Sequence, residues 1–160
     1  MAKKNWGFYG RRDELDAMTR ILLRNRWFFV KVTGRRRIGK TSLVQEALKS
    51  LGRERVVYLQ VPDSDPAGVI SAMRDFFSMF GIVGHEPHDL RSLAGSIAAL
   101  VRDGWIVAMD EFQYFHRSSL FEFTSHLQYE VDQLAKDATN VQGGLIVLGS
   151  IHTEMAALLE

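Results

Sequence analysis

Between Gly34 and Thr41 the chain carries glycine, lysine and threonine at a spacing suited to binding phosphate. The segment reads Gly-Arg-Arg-Arg-Ile-Gly-Lys-Thr and matches the pattern G-x-x-x-x-G-K-[ST] without a gap. Glycine lets the backbone wrap closely around a phosphate chain, which is the expected purpose of Gly34 and Gly39. The arginines at 35–37 have two interpretations: they contact phosphate or a partner's charge, or they fill variable positions at a solvated loop tip.

The residues inside and after this loop each have an expected phosphate or metal contact. Backbone N–H groups of the loop, including those of Arg37 and Ile38, and of the helix that follows point at the bound anion. Lys40 is expected to reach the β- and γ-phosphates, and the Thr41 hydroxyl to ligate Mg²⁺. The Ser42 hydroxyl is placed for a further phosphate contact. Together these residues predict a nucleotide site.

Two adjacent carboxylates, Asp110 and Glu111, follow the apolar run from Ile106 to Met109. A hard divalent cation bridging phosphates prefers carboxylate oxygen, so we expect Asp110 to hold Mg²⁺ through water. Glu111 is expected to orient and deprotonate the attacking water as a general base. Alone, Asp-Glu at a strand end is typical of a solvated loop; with the upstream loop it predicts hydrolysis. Because the chain contains no Asn-Lys-x-Asp guanine signature, ATP is favoured over GTP.

A third polar residue, Ser150, follows the apolar run 145–148 and Gly149. In a sheet of this type that strand lies between the strand leading to the phosphate loop and the strand ending at Asp110. The Ser150 hydroxyl is then expected to contact the γ-phosphate or the attacking water. A serine that begins a turn or caps the next helix explains the same pattern equally well.

Apolar periodicity predicts the elements that position these side chains. Strands are predicted at 27–33, 55–61, 105–109 and 145–148. Helices are predicted at 11–25, 40–51, 67–80, 90–101 and 118–136, with a last one starting near Thr153. Buried strands separated by helices indicate an α/β fold with a parallel sheet, and such sheets bind ligands at the carboxyl ends of their strands.

Composition limits the remaining possibilities. The 160 residues suit one domain, 1–160, and 20 Lys+Arg against 19 Asp+Glu give no general attraction to nucleic acid. The chain has no cysteine, which excludes disulfides and fits a cytoplasmic location. No apolar run is long enough to span a bilayer, so no membrane partner is expected.

The combined motifs resemble those of the prokaryotic AAA-like ATPases of the STAND class, the "archaeal ATPase" family. Residues 8–15 (FYGRRDEL) resemble that family's N-terminal box, which implies that Gly10 and Arg11 help to wall the adenine. Three further segments resemble its arginine-containing P-loop, its Walker B segment and its sensor strand end: GRRRIGKTSL at 34–43, DEFQ at 110–113 and Gly149-Ser150. The resemblance implies a three-layer P-loop NTPase core that uses ATP and Mg²⁺.

Two further expectations come from what this family carries beyond such a core. Its members continue with a fifth strand, an arginine-bearing segment and a helical or winged-helix lid, so we expect this chain to be truncated before them. The P-loop strand is then an open sheet edge that favours self-association. Hydrolysis by these residues alone is expected to be slow, because an arginine finger is worth about 10³–10⁵ in rate.

Three functions therefore remain open for the chain. The first is a Mg²⁺-dependent ATPase core that acts as a nucleotide switch for attached domains or protein partners. The second is a module in which bound ATP, with little or no turnover, supports assembly or signalling. The third, an ATPase associated with DNA, has no support from the near-neutral charge.

Overall fold

The computed structural model describes residues 8–24, 26–34, 40–52 and 54–150. Over these residues helices alternate with strands. The helices are α1 (Phe8–Leu23), α2 (Lys40–Leu51), α3 (Pro66–Met79), α4 (Leu90–Arg102) and α5 (Glu122–Lys136). The strands are β1 (Phe28–Gly34), β2 (Val56–Gln60), β3 (Ile106–Asp110) and β4 (Gly144–Ser150). Short 3₁₀ helices, Phe112–His116 and Ala138–Asn140, lie on either side of α5. No helix in the described ranges is both long enough and apolar enough to cross a bilayer.

The four strands form one parallel sheet in the order β1-β4-β3-β2. Because every strand runs the same way, all carboxyl ends meet at one edge of the sheet. The register places Gly34 beside Ser150 and Gln60 beside Asp110. The predicted position of β4, between β1 and β3, is confirmed, and β1 is an edge strand of the described sheet.

Helices cover both faces of the sheet, so the fold has three layers. Alternate residues of β3 point to opposite faces: Val107 and Met109 join one core, and Ile106 and Ala108 join the other. The first core is completed by α3, α4 and α5, and the second by α1 and α2. Every residue of β3 is buried, which explains its unbroken apolar run in the sequence. The predicted three-layer α/β fold with a parallel sheet is confirmed.

The helix boundaries agree with the periodicity except at two places. Helix α2 begins and ends as predicted, whereas α1 begins at Phe8, earlier than predicted. Helix α5 begins at Glu122 rather than at residue 118, because the preceding turns close with i→i−3 bonds: Leu120 N donates to Arg117 O at 2.9 Å and Phe123 N donates to Leu120 O at 3.0 Å. Leu120 and Phe123 are both buried and lie three positions apart, which is also the spacing of residues on one face of a helix. The helix predicted near residue 153 lies outside the described residues.

Aspartate side chains set the starts of α3 and α4. The Oδ1 atom of Asp65 accepts a hydrogen bond from the backbone N–H of Gly68 at 2.9 Å. At α4 the Oδ1 atom of Asp89 accepts from the N–H of Ser92 at 2.7 Å, while Ser92 Oγ accepts from the N–H of Asp89 at 3.0 Å. This reciprocal capping box satisfies N–H groups that have no partner within the helix. Both helices of the connection between β2 and β3 therefore have defined starts.

The capping box makes stability depend on pH. The backbone N–H of Ser92 holds the pKa of the Asp89 carboxyl below its usual value of 3.8. Because the folded state lowers this pKa, the carboxylate contributes stability above that pH, and the contribution is lost as pH falls through the folded-state pKa. Asp89→Asn keeps an acceptor but no charge. We therefore expect the difference in unfolding free energy between wild type and variant to shrink as pH falls below about 4.

Urea denaturation over a pH series measures this difference. Asp75→Asn, on the exposed surface of α3, is the matched control because Asp75 caps no helix. A difference for Asp89→Asn that stays constant with pH, or one that Asp75→Asn reproduces, contradicts the prediction.

Candidate functional site

The carboxyl edge of the sheet brings the predicted site positions together along the backbone. Gly34 and Ser150 are register partners at the ends of β1 and β4, and Asp110 ends the neighbouring β3. Lys40 is the first residue of α2 and Thr41 the second. The loop positions Arg37, Ile38 and Gly39 lie outside the described residues. The strand ends thus lie at one edge of the sheet, α2 follows β1 in the chain, and the roles expected of these residues stay predictions.

The other predicted nucleotide contacts lie on the two helices of one layer. Gly10 and Arg11 belong to the first turn of α1, and Ser42 is an exposed residue near the start of α2. The two helices share a core that includes Met18 of α1 and Ala47 of α2. The helix that carries the N-terminal box and the helix that follows the P-loop therefore cover the same face of the sheet.

Asp110 is a buried carboxylate with a hydrogen-bond donor at each oxygen. Its side chain is 5% exposed. The Tyr58 hydroxyl donates to Oδ2 at 2.6 Å, and the backbone N–H of Glu111 donates to Oδ1 at 2.7 Å. Burying a carboxylate is costly unless such bonds replace its hydration. The two bonds fix the orientation of Asp110 at the end of β3.

Glu111 leaves the strand through an unusual backbone conformation. Its φ of 59° and ψ of 37° are left-handed, and no other non-glycine residue among those described has a positive φ. Such a conformation in a non-glycine residue costs free energy and often accompanies a functional site. The Glu111 side chain is partly exposed, and its Oε1 atom accepts a hydrogen bond from Gln113 Nε2 at 2.6 Å. The two adjacent carboxylates therefore have different hydrogen-bond partners and different exposure.

A 3₁₀ helix and an aromatic cluster hold the segment that follows Glu111. Phe112 and Phe115 are buried in the 3₁₀ helix Phe112–His116 and contact Phe123 of α5. The ring centroids are 5.1 Å apart for Phe112–Phe115 and 4.2 Å apart for the stacked pair Phe115–Phe123. Aromatic pairs in these geometries stabilise beyond the area that they bury. The three rings are therefore part of the core beneath this segment.

A surface ion pair ties this segment to the loop after β2. Arg117 forms a salt bridge with Asp63, and its guanidinium lies 6.0 Å from the centroid of the Tyr114 ring. In addition, the backbone N–H of Val61 donates to the carbonyl oxygen of Asp110 at 3.0 Å. The segments that follow β2 and β3 are therefore joined at Asp110 and again at Arg117.

Tyr58 and Gln113 are contacts of the site that the sequence did not reveal. Tyr58 lies in the apolar run of β2, where the usual interpretation of a tyrosine is packing. Its one signal is the hydroxyl, which needs a partner when it is buried. Gln113 is a polar residue between two buried phenylalanines, Phe112 and Phe115. A glutamine buried between two phenylalanines indicates that its amide makes a specific hydrogen bond, because an amide without one is costly to bury.

Removing the Tyr58 hydroxyl is expected to destabilise the fold. Tyr58→Phe takes one donor from a buried carboxylate, and we expect the free energy of unfolding to fall by about 1–3 kcal/mol. Urea denaturation measures the loss. Tyr129→Phe is the matched control, since Tyr129 is 62% exposed. Equal stability of wild type and Tyr58→Phe is the result that contradicts the prediction.

The described end of β3 carries a carboxylate of the kind that magnesium prefers. No three His, Asp or Glu side chains come together as a metal cluster in the part of the chain that the structure describes. Mg²⁺ does not need such a cluster, because it keeps several waters and binds through one or two carboxylates plus phosphate oxygens. Asp110 supplies a buried carboxylate, and Thr41 is the second residue of α2, where its role as a magnesium ligand stays a prediction.

Comparison with protein families now decides the identity of the domain. A family model described as an AAA domain matches residues 28–150, which is more than half of the 160 residues. The chain belongs to the AAA domain family. The match runs from the start of β1 to the end of β4, so this AAA domain includes the whole carboxyl edge of the sheet. The resemblance to AAA-like P-loop ATPases is confirmed, and the family supports nucleotide binding and hydrolysis in general terms.

Solved structures show the same fold as this AAA domain. A Walker-type ATPase of Pyrococcus abyssi has a TM-score of 0.61 and 20% identity, covering 92% of this chain and 46% of that one. The ORC2 protein of Aeropyrum pernix, solved in ADPNP–ADP complexes, has a TM-score of 0.64 and 18% identity, covering 93% and 43%. PCH-2 of C. elegans has a TM-score of 0.52 and 14% identity, and the match covers 95% of this chain and 41% of that one. The chain spans less than half the length of each. No curated protein sequence matches it.

Proposed function

We propose that this AAA domain binds ATP with Mg²⁺ and hydrolyses it as the nucleotide switch of a STAND-class ATPase. The observation that carries the proposal is the carboxylate pair at the end of β3. Asp110 is buried with a donor at each oxygen, and Glu111 is partly exposed and held at one oxygen. A fixed carboxylate suits a cation, and an accessible one suits proton transfer.

The P-loop and α2 provide the phosphate contacts in this proposal. Backbone N–H groups at Gly34, Arg37, Ile38 and Gly39 surround the phosphates, and the start of α2 adds the positive end of its dipole. Lys40 binds the β- and γ-phosphates, and Ser42 adds a further phosphate contact. Thr41 and Asp110 would hold Mg²⁺, which would neutralise charge on the phosphates.

Glu111 performs the proton transfer. It takes a proton from the attacking water, whose oxygen forms a bond to the γ-phosphorus. The bond from that phosphorus to the β–γ bridging oxygen breaks, and ADP leaves with the electron pair. Ser150, on the strand next to β3, hydrogen-bonds the γ-phosphate or the water. Away from the phosphates, Gly10 and Arg11 of α1 form part of the wall of the adenine site.

The edge strand β1 is the place where the proposed function includes binding to another protein or to a second copy of the chain. In the described sheet β1 is hydrogen-bonded to β4 on one side. An edge strand is a place where a further strand can add to a sheet, so self-association or a protein partner at β1 fits the proposal. ATP as substrate fits a cytoplasmic location.

A binding and hydrolysis assay on this chain tests the proposed function. Calorimetric titration with ATP is carried out with and without Mg²⁺, and phosphate release is followed over hours because turnover is expected to be slow. GTP is the matched control ligand. We expect Mg²⁺-dependent ATP binding, weaker GTP binding and slow phosphate release above the background. ATP binding without phosphate release favours the alternative function, an ATP-binding module without turnover. Absence of ATP binding overturns the proposal.

A further inference from the structure

Gln113 is buried at a position where packing does not call for a polar side chain. Among the described side chains, the buried polar or charged ones are Asp110 and Gln113, which is 8% exposed. Gln113 lies in the 3₁₀ helix between Phe112 and Phe115, which are both buried. Methionine or leucine would fill the same space without the cost of burying an amide. The glutamine therefore needs an explanation other than packing.

The amide of Gln113 points back to the carboxylate two residues earlier. Its Nε2 atom donates to Glu111 Oε1 at 2.6 Å, a short bond of the kind that amides make to carboxylates. The bond engages Oε1, and Oε2 is the oxygen that can accept a proton from water. The left-handed backbone of Glu111 ends the extended path of β3 directly after Asp110. A long glutamate side chain beyond such a turn has several rotamers, and the bond to Gln113 selects among them.

The support behind Gln113 is rigid. The rings of Phe112, Phe115 and Phe123 form a buried cluster whose closest pair is stacked. After the 3₁₀ helix, Arg117 ties the chain to Asp63 in the loop after β2. Because this packed segment fixes the position of the Gln113 amide, the amide can fix the orientation of the Glu111 carboxylate.

We propose that Gln113 is the positioning residue of Glu111: its amide holds one carboxylate oxygen so that the other faces the attacking water. The proposal rests on the proposed ATP hydrolysis, in which Glu111 is the general base. It follows the arrangement in which a base is itself oriented by a third group. The opposite role, a latch that keeps Glu111 away from the nucleotide, requires Gln113 to slow turnover.

Kinetics of two substitutions in the full chain separate these roles. Gln113→Met keeps length and burial but removes the donor, and Gln113→Glu keeps size but places an acceptor beside Glu111. We expect Gln113→Met to lower kcat about 10- to 100-fold, the worth of a hydrogen bond to a charged group, with ATP affinity and KM unchanged. Gln113→Glu is expected to lower kcat further, because two carboxylates repel each other.

A matched control is present on α5. Gln128 Nε2 donates to Asp132 Oδ1 at 2.9 Å, the same chemistry on an exposed helix surface. Gln128→Met is expected to leave kcat unchanged. If Gln113→Met leaves kcat unchanged, or raises it as a latch would, the inference is overturned while the proposed ATPase function stands.

A second measurement tests the contact without relying on turnover. The side-chain NH₂ resonances of Gln113 are recorded by NMR in the nucleotide-free chain and again in Glu111→Ala. We expect them to shift in the variant while those of Gln128 stay in place; unmoved Gln113 resonances overturn the inference alone. If the wild type releases no phosphate, the ATPase proposal fails and the inference fails with it.

Discussion

Glu111→Gln is expected to stop phosphate release and to leave ATP binding intact. The glutamine amide has the size of the carboxylate, and its oxygen still accepts the bond from Gln113 Nε2 that now ends on Oε1. It cannot take a proton from water. Positioned general bases contribute about 10²–10⁴ in rate, so we expect kcat to fall by that factor. Because turnover is slow already, the remaining rate should approach that of ATP in buffer.

Phosphate release and calorimetric ATP titration on the same samples measure the two halves of this prediction. Glu46→Gln, on the exposed surface of α2, removes the same charge away from the carboxyl edge of the sheet. That control is expected to bind and hydrolyse ATP as the wild type does. Turnover by Glu111→Gln at the wild-type rate rules out Glu111 as the base.

Lys40→Ala is expected to abolish measurable ATP binding. Lys40 is the first residue of α2 and follows the loop that leaves the end of β1. In the proposed site its ammonium group makes charge-assisted bonds to the β- and γ-phosphates. Removing a hydrogen bond to a charged group weakens binding by about 10- to 100-fold for each bond lost. Two phosphates lose their contact at once, so the affinity should fall below the range of calorimetry.

The control for this prediction lies on the same helix. Lys49, an exposed residue in the last turn of α2, carries the same charge at the opposite end. Lys49→Ala is expected to bind ATP normally, and circular dichroism should show that both variants fold. ATP affinity of Lys40→Ala equal to that of Lys49→Ala would contradict the phosphate role of Lys40.

The sequence was informative wherever a local pattern carried the signal. Helix α2 has its predicted bounds, because Leu43, Ala47 and Leu51 share one face and a glycine-containing loop precedes it. Strand β3 was recognisable because burial on both faces requires an unbroken apolar run. The pattern was misleading at residues 118–121. There Leu120 and Phe123 have the spacing of a helix, but the backbone turns with i→i−3 bonds before α5 begins.

The sequence by itself determined the parallel sheet, the P-loop pattern and the acidic pair, since each depends on neighbouring residues and on short periods. Only the tertiary structure decided which groups hold the two carboxylates. Tyr58 reaches Asp110 across 52 positions of the chain because the register aligns β2 with β3. Gln113 reaches Glu111 because a left-handed residue and a 3₁₀ turn fold the chain back, and buried rings fix that turn. Register and three-dimensional packing set such contacts, and neither leaves a periodic trace in the sequence.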